Sequence, residues 1–516
     1  MNAIAVLYAG ALAPAAYESL PSGPDALTLA VERARSFPNV GEVVLLADDA
    51  FVSPASIGRV RVVRSSLWGK RSVLDALASL SKEAELIYWA WADAPLLDVE
   101  LAAAIRDRHL RYAAEYSYAD GWPYGFAPEI LHPSTAAALA VLAGDDEGRV
   151  ERDLLFSVLS KDINSFDIET EISPVDLRHY RLTLAADSKR NLLLLRGLME
   201  AGLARAADAE RLLTERADLL RTVPAFYAIQ VAGGCPQACA LCPYPRFGAE
   251  GGASILERRD VMDAAKFESL LDSIVDLSGD AVIDISVWGE SSLHPEIARL
   301  ASAVLERPGL SLLIETSGIG WRPGVLEAIA EAAARAATRP VRTASAMAAV
   351  SWIVSLDAHN GDRYRAVRGE GFAEATAFAE KVIALFPKDA YVQSLRIKDE
   401  EEDLERFYRS WKTKTPNVIV QKHDDFALFM PTLKATDLSP VKRRPCWHIM
   451  RDFVVLIDGT VPACKEDVRK TRVLGNAFTE PLADIWARGA ELYAAHAAGE
   501  YPGICANCDE YYTYNF

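Results

Sequence analysis

The first 234 residues of this 516-residue chain contain no cysteine, and all seven that the chain has lie between positions 235 and 508. Disulfide scaffolds have no need of such clustering, metal sites do, and an odd total cannot pair completely. No Lys or Arg precedes the apolar opening MNAIAVLYAGALAPAAYESL, so it reads as a first β-strand entering a loop and not as a signal peptide. Runs of about 18 uninterrupted apolar residues are also missing, so no membrane span is expected. Together with the unpaired thiols, this gives a soluble protein of the reducing cytoplasm as the expectation. No dense Lys/Arg block occurs and the net charge is −17, so the electrostatic footprint for a phosphate backbone is lacking and no nucleic-acid partner is expected. Internal repeats and low-complexity segments are missing as well.

What is present is enough apolar residue, 51%, to bury several cores, and three domains are expected. From 224 to 423, short β-rich runs alternate with amphipathic stretches, the pattern of parallel strands with crossover helices. Six strands are predicted: AFYAIQVAG (225 to 233), AVIDISVWG (281 to 289), LSLLIETSG (310 to 318), SWIVSLD (351 to 357), AYVQSLRI (390 to 397) and NVIVQKH (417 to 423). DAAKFESLLDSIVDL and EEEDLERFYRSWKTK read as helices before the second and sixth. Six such units make an open or partial barrel with its chemistry at the carboxyl ends of the strands. The region before it reads as a separate α/β unit with strands near 2 to 8, 42 to 47, 60 to 64 and 85 to 92. It ends in a Leu/Ala-patterned helical span beginning at Asp187. The expected domains are 1–205, a helical linker 206–223, the barrel 224–440 and a C-terminal domain 441–516.

Cys235, Cys239 and Cys242 stand in the order C-x3-C-x2-C directly after the first barrel strand. Gly233 and Gly234 let that loop bend close to a cluster, and three soft thiolates suit iron-sulfur binding. Three ligands for four irons leave one iron open. At these residues the chain resembles the radical S-adenosylmethionine (SAM) superfamily, although Leu241 stands where that family often has an aromatic residue. The resemblance implies a 4Fe-4S cluster whose open iron is chelated by SAM, and an external electron donor such as flavodoxin or ferredoxin. VWGESSLHPEI resembles the family's segment for the SAM amino group, which implies roles for Gly289 and Glu290; the alternative for Glu290 is a charge at a helix start. IETSG, with Thr316, Ser317 and Gly318, and VSLDAHNGDRYRAVRG, with Ser355 and Asp357, resemble strand-end segments near the SAM ribose and carboxylate. Turn formation is the alternative for those hydroxyl residues.

Cys446 and Cys464 are separated by 17 intervening residues, and Cys505 and Cys508 form a C-x2-C. The segment from CWHIM through DGTVPAC, LGN and the Ile-Trp pair to CANC resembles the SPASM/twitch extension of radical SAM enzymes. That resemblance implies one auxiliary 4Fe-4S cluster on the four cysteines; a structural zinc ion is the alternative. His448 reads as a packing residue. Lys465 stands where sulfatase-maturing relatives carry Asp, so that activity is not expected.

YWAWADAPLLDVELAAAIRDRH, PYGFAPEI and DLRHYRLTL resemble the nucleotidyltransferase fold, specifically sugar cytidylyltransferases. Asp93 matches their metal-binding aspartate. Two departures point to a degenerate domain: no basic residue precedes Arg33 in the opening loop, and the second metal aspartate falls on Ala185, with Asp187 displaced by two. Lys70 and Arg71 are the nearest basic pair for a nucleotide. The whole chain is similar to spirochaete-type proteins with a SPASM end.

The fold class is therefore α/β: a nucleotidyltransferase-like domain, a partial (β/α)6 radical SAM barrel and a small SPASM/twitch domain. The expected function is reductive cleavage of SAM to a 5′-deoxyadenosyl radical and hydrogen abstraction from a substrate, with the auxiliary cluster accepting an electron. Asp357, His423, Asp424 and Glu466 are the candidate proton acceptors. The substrate partner is a small molecule, saccharide or peptide. The sugar-nucleotide-like domain favours a carbohydrate or cell-envelope precursor, with a peptide- or protein-modifying maturase as the alternative. Two other readings are a bifunctional protein with an active nucleotidyltransferase domain, and a non-enzymatic electron carrier or zinc scaffold.

Overall fold

The computed structural model describes residues 2–10, 12–248, 254–337 and 348–513, the Glu83 side chain apart. These fall into two compact units, one ending at Leu220 and one beginning at Arg221.

The first unit is built on a seven-stranded sheet. Its strands are β1 (Ala3–Ala9), β2 (Val40–Asp48), β3 (Arg61–Ser65), β4 (Leu86–Trp91), β5 (Tyr116–Asp120), β6 (Glu129–Leu131) and β7 (Ile168–Ile172), in the order β3-β2-β1-β4-β6-β5-β7. AIAVLYA and LIYWAW are buried throughout, as central parallel strands covered on both faces must be. Short β6 runs antiparallel to both neighbours. The sequence predicts the first four strands only. β5 to β7 escape notice because two are short and IETEI alternates Ile with Glu or Thr, the pattern of a half-wet strand.

The second unit carries an all-parallel sheet of β8 (Phe226–Ile229), β9 (Ala281–Asp284), β10 (Leu310–Thr316), β11 (Val350–Ser355), β12 (Ala390–Arg396), β13 (Val418–Lys422) and β14 (Asp452–Val455). Its order is β13-β12-β11-β10-β9-β8-β14. Six of these are the predicted strands. The seventh, β14, comes from the C-terminal region and pairs beside β8 with Asp452 opposite Phe226. A four-residue run whose partner lies so far back in the chain leaves no local signal. A hairpin of β15 (Thr460–Pro462) and β16 (Val473–Asn476) follows.

Period-two alternation sorts this sheet into two faces. Tyr227, Ile229, Leu312, Ile314, Trp352 and Val354 pack outward with the helices, including Ala264–Ser278 and Glu401–Lys412. Phe226, Ala228, Leu313, Ile353 and Val454 form a smaller inner cluster. One alternation step further toward the carboxyl ends, that same inner face turns polar, with Asp284, Glu315, Ser355 and Gln393. Apolar packing thus closes the sheet's lower half and leaves hydrogen-bonding groups at the end where the loops emerge.

Candidate functional site

Glu315 heads this polar row. It is exposed although its strand neighbours are buried, and its Oε1 accepts hydrogen bonds from Ser355 Oγ (2.9 Å) and Gln393 Nε2 (2.9 Å). Its backbone N–H donates to Ser286 Oγ at 2.7 Å. On β9, burial pushes the Asp284 carboxyl up to about 7, and the nearby Glu315 charge adds to the rise. Sequence reading passed over Asp284, Glu315 and Gln393. Their signal is a polar residue at the last inward position of an otherwise buried strand.

Cys235, Cys239 and Cys242 lie on the loop leaving β8, and all three thiols are free. Two glycines allow the loop to be so tight: a Cβ on Gly233 would collide with the Asp260 carboxylate, and one on Gly234 with the Arg258 carbonyl oxygen. The second strand's end is clamped onto this loop. Trp288 and Gly289 both take positive φ (49° and 110°), a Cβ on Gly289 would strike the Ala232 carbonyl oxygen, and Glu290 N–H donates to Gly234 C=O at 2.9 Å.

The Glu290 carboxylate is 4% exposed and surrounded by donors. Thr316 Oγ1 reaches it at 2.7 Å, Ser317 N at 2.8 Å, Ser317 Oγ at 2.6 Å and Ser292 N at 3.4 Å. Burial raises its pKa, and the Ser317 and Thr316 hydrogen bonds work against that rise. Trp321 Nε1 donates to Thr316 Oγ1 at 2.9 Å and so orients the hydroxyl. Gly289, Glu290, Thr316 and Ser317 are thereby brought together beside the cysteine loop. Ser355 lies on the polar row instead.

Asp357 has φ +56° and is spoken for on both oxygens, Oδ2 by Arg368 Nε (2.8 Å) and Oδ1 by Leu395 N–H (2.8 Å). Burial works against the Arg368 charge, and Asp357 and Cys239 outweigh it. The stretch around Arg368 in turn holds the cysteine loop: Ala240 N–H donates to Val367 C=O at 2.8 Å, and Gln237 Nε2 donates to Tyr364 OH at 3.0 Å. Asp357 therefore positions the Cys239 surroundings.

At the far edge, His423 and Asp424 follow β13. His423 is 1% exposed, and burial lowers its pKa. Burial, then Glu510, pushes Asp424 up to about 6; Glu466, buried beside it, is raised well above the ordinary carboxylate range by burial and by Asp424. Asp424, Asp509 and Glu510 gather their oxygens within 4.8 Å, with Lys422 bonded to both Asp509 and Glu510. After Asp425 the chain makes a left-handed turn through Phe426, Ala427 and Leu428 (φ 51°, 53° and 68°). This sets Phe426 5.7 Å from the Trp288 ring, which also meets Phe247 at 4.9 Å. A small cleft of about 50 Å³ lies between this aromatic wall and the hairpin, lined by Tyr244, Phe247, Trp288, Lys465 and Asp467 among others.

Cys446, Cys464, Cys505 and Cys508 are likewise free. Burial pushes Cys446 up to about 12 and raises Cys464 well above the ordinary thiol range, with Glu466, Cys446 and Cys508 adding to the latter. Backbone N–H groups of Glu466 and Glu510 point at the Cys464 and Cys508 sulfurs (3.5 and 3.4 Å), the donors a charged sulfur requires. His448 Nδ1 is taken by Asp452 at 2.6 Å.

A parallel barrel with three cysteines on its first loop, and a cysteine-bearing extension sharing its sheet, define an iron-sulfur enzyme. Residues 446–509 match the SPASM family, described as an iron-sulfur cluster-binding domain, a span holding all four C-terminal cysteines. An uncharacterized protein of Treponema pallidum (strain Nichols) is 39% identical over 369 residues, 70% of this chain and 98% of its own length. The chain belongs to that protein's family, within the radical SAM superfamily of enzymes that carry a C-terminal SPASM domain.

Among solved structures, BtrN in complex with AdoMet and 2-DOIA covers 56% of this chain and 94% of its own (17% identity, TM-score 0.35). Streptococcus suis SuiB bound to the precursor peptide SuiA covers 74% and 88% (14%, 0.41). A cytidylyltransferase from Leptospira borgpetersenii covers 42% and 95% (16%, 0.36). At these values each is a likeness only. No described helix is long and apolar enough to cross a membrane.

Proposed function

We propose that the second unit is a radical SAM enzyme acting on a peptide or protein substrate seated over the polar row, with Cys235, Cys239 and Cys242 as ligands of the SAM-binding 4Fe-4S cluster. The observation that carries this reading is the clamp of Gly289 and Glu290 onto the cysteine loop, with Thr316 and Ser317 holding the carboxylate. A 4Fe-4S cluster with SAM supplies a 5′-deoxyadenosyl radical for hydrogen abstraction, and a second cluster on Cys446, Cys464, Cys505 and Cys508 supplies an electron acceptor. The donor sets fit: three free thiols around a glycine-lined cradle, and four free thiols of which two face backbone N–H groups.

The chain's own residues do the rest. Glu290 offers a fixed carboxylate for an ammonium group. Glu315, Ser355, Gln393 and Asp284 present hydrogen-bonding groups to a substrate at the strand ends. The Asp424–Glu466 pair shares a proton between the barrel and the SPASM segment, Asp424 being raised by burial and Glu510, and Glu466 by burial and Asp424.

A carbohydrate substrate is expected from the sequence only because the first unit looks like a sugar-nucleotide domain. That support weakens when both of that unit's candidate metal aspartates are bonded to Arg152. The aromatic wall of Phe247, Trp288 and Phe426 offers a surface on which the side chains of a peptide would pack, and a precursor peptide is what SuiB is bound to.

The test is anaerobic reconstitution with about eight irons per chain, then dithionite-driven turnover with excess SAM. Release of 5′-deoxyadenosine is expected; none would sink the reading. Carrying deuterium into that product from the protein fraction of cells grown on deuterated amino acids, and not from cells grown on deuterated sugars, supports the peptide substrate. The reverse result overturns it.

A further inference from the structure

The first unit's two candidate metal aspartates do meet, but around an arginine. Asp93 and Asp187 are each 2% exposed. Arg152 Nη1 and Nη2 donate to Asp93 Oδ1 (3.1 Å) and Oδ2 (2.8 Å), and Nη2 also donates to Asp187 Oδ2 (2.9 Å). Asn191 Nδ2 donates to the remaining Asp187 Oδ1 at 2.7 Å. All four carboxylate oxygens have a donor. The guanidinium is further held 4.6 Å over the Trp91 ring and 4.7 Å over Tyr124, with Tyr124 OH accepting from Nη1 at 3.1 Å.

The same segment of chain deals with the unit's other charged feature. The helix Lys70–Leu80 opens with N–H groups that would suit an anion. Lys70 N–H instead donates to Gly148 C=O and Arg71 N–H to Asp146 C=O, both at 2.9 Å, while Arg71 Nη1 donates to Gly144 C=O at 2.9 Å. Glu147 packs so closely on the helix start that a Cβ on Gly69 would collide with its carboxylate. Asp145 and Glu147 lie within electrostatic reach of Arg71.

We infer that residues 144–152, GDDEGRVER, form a built-in strap that occupies both charged ends of the first unit's site. Acidic loop and carbonyls lie at the helix start where a phosphate would go, and a guanidinium lies between the carboxylates where a divalent cation would go. A metal–nucleotide phosphate has to displace a desolvated Arg152 whose two Nη groups are bound to both carboxylates, and uncover the helix start in the same move. The strap makes this unit a closed, metal-free body with no transferase activity of its own.

The test uses the full chain. Titrated with Mn²⁺ and followed by electron paramagnetic resonance, the wild type and Asp93→Asn should bind the same amount, and magnesium-dependent CTP turnover should be nil. A Mn²⁺ signal that Asp93→Asn abolishes, or measurable CTP turnover, overturns the proposal. In Arg152→Ala, amides at the strap's contacts (Lys70 and Arg71) should exchange at least about tenfold faster, and methylguanidinium should restore protection by refilling the Trp91–Tyr124 cage. Unchanged exchange overturns the strap's role. Should Arg152→Ala not fold, Arg152→Lys keeps one charge without the two-pronged bond and should show the same loosening, while the wild-type Mn²⁺ comparison stands independently.

Discussion

Glu290 is a carboxyl group with four donors and almost no water; burial raises its pKa, and the hydrogen bonds from Ser317 and Thr316 work in favour of the charged form. Glu290→Gln retains the shape and loses the charge. It is expected to slow 5′-deoxyadenosine formation about 10- to 100-fold at unchanged iron content, the size of one charge-assisted hydrogen bond. Asp284 makes a pH prediction. Its carboxyl is held at about 7 in the fold by burial, above its ordinary 3.8, so the folded state binds the proton more tightly. Stability conferred by the protonated group is present at low pH and falls as pH rises from about 4 through 7. Asp284→Asn should flatten that slope in urea unfolding and be more stable than wild type at pH 8, by about 1–3 kcal/mol. At this scale the sequence discloses what sits in a spaced motif, hence the seven cysteines, Gly289, Glu290, Thr316 and Ser317. It conceals partners joined only by folding. Nothing near Arg152 announces that it meets Asp93, and Gln393 reads as one polar residue in a strand until Glu315 is placed beside it.

Among the elements, β14 is the one on which the C-terminal segment and the barrel depend jointly. Phe453 is 2% exposed, with its ring 5.4 Å from Tyr227 on β8 and 6.2 Å from Trp486 in the SPASM segment. Phe453→Ala is expected to cost about 3–5 kcal/mol in denaturant unfolding of the second unit, because the cavity opens where two elements share one ring. The left-handed turn Phe426–Ala427–Leu428 predicts the opposite sign. Ala427 sits at φ 53°, a conformation that costs an L-residue about 1–2 kcal/mol and glycine nearly nothing. After glycine's extra chain entropy is subtracted, Ala427→Gly should stabilise by up to about 1 kcal/mol, measured by the same unfolding. Six barrel strands were legible because each is a buried run bounded by turn residues. β14 was not, since its four residues gain their identity from β8.

For the molecule as a whole, the cysteine-free half and the cysteine-bearing half should respond differently to iron. Comparing hydrogen exchange in the iron-free and reconstituted chain, protection should rise by about tenfold or more over 235–242 and 446–510 and stay unchanged over 2–220. Spread of the gain into the first unit would contradict the assignment of all metal to the second. The expected separation into an α/β unit and a barrel comes from the strand and helix patterning before and after residue 224. The strap of the first unit was not, because it consists of ordinary loop residues whose meaning comes from what they touch.

The pairing of β8 with β14 also sets a schedule. During synthesis the strand that launches Cys235, Cys239 and Cys242 has β9 on one side, but its other edge stays bare until residue 452 has left the ribosome. The loop carrying these three cysteines therefore gains its full framework only after the barrel's last strand has been made. The three thiols therefore wait while about 210 further residues are made, and insertion of the proposed cluster belongs to the nearly finished polypeptide.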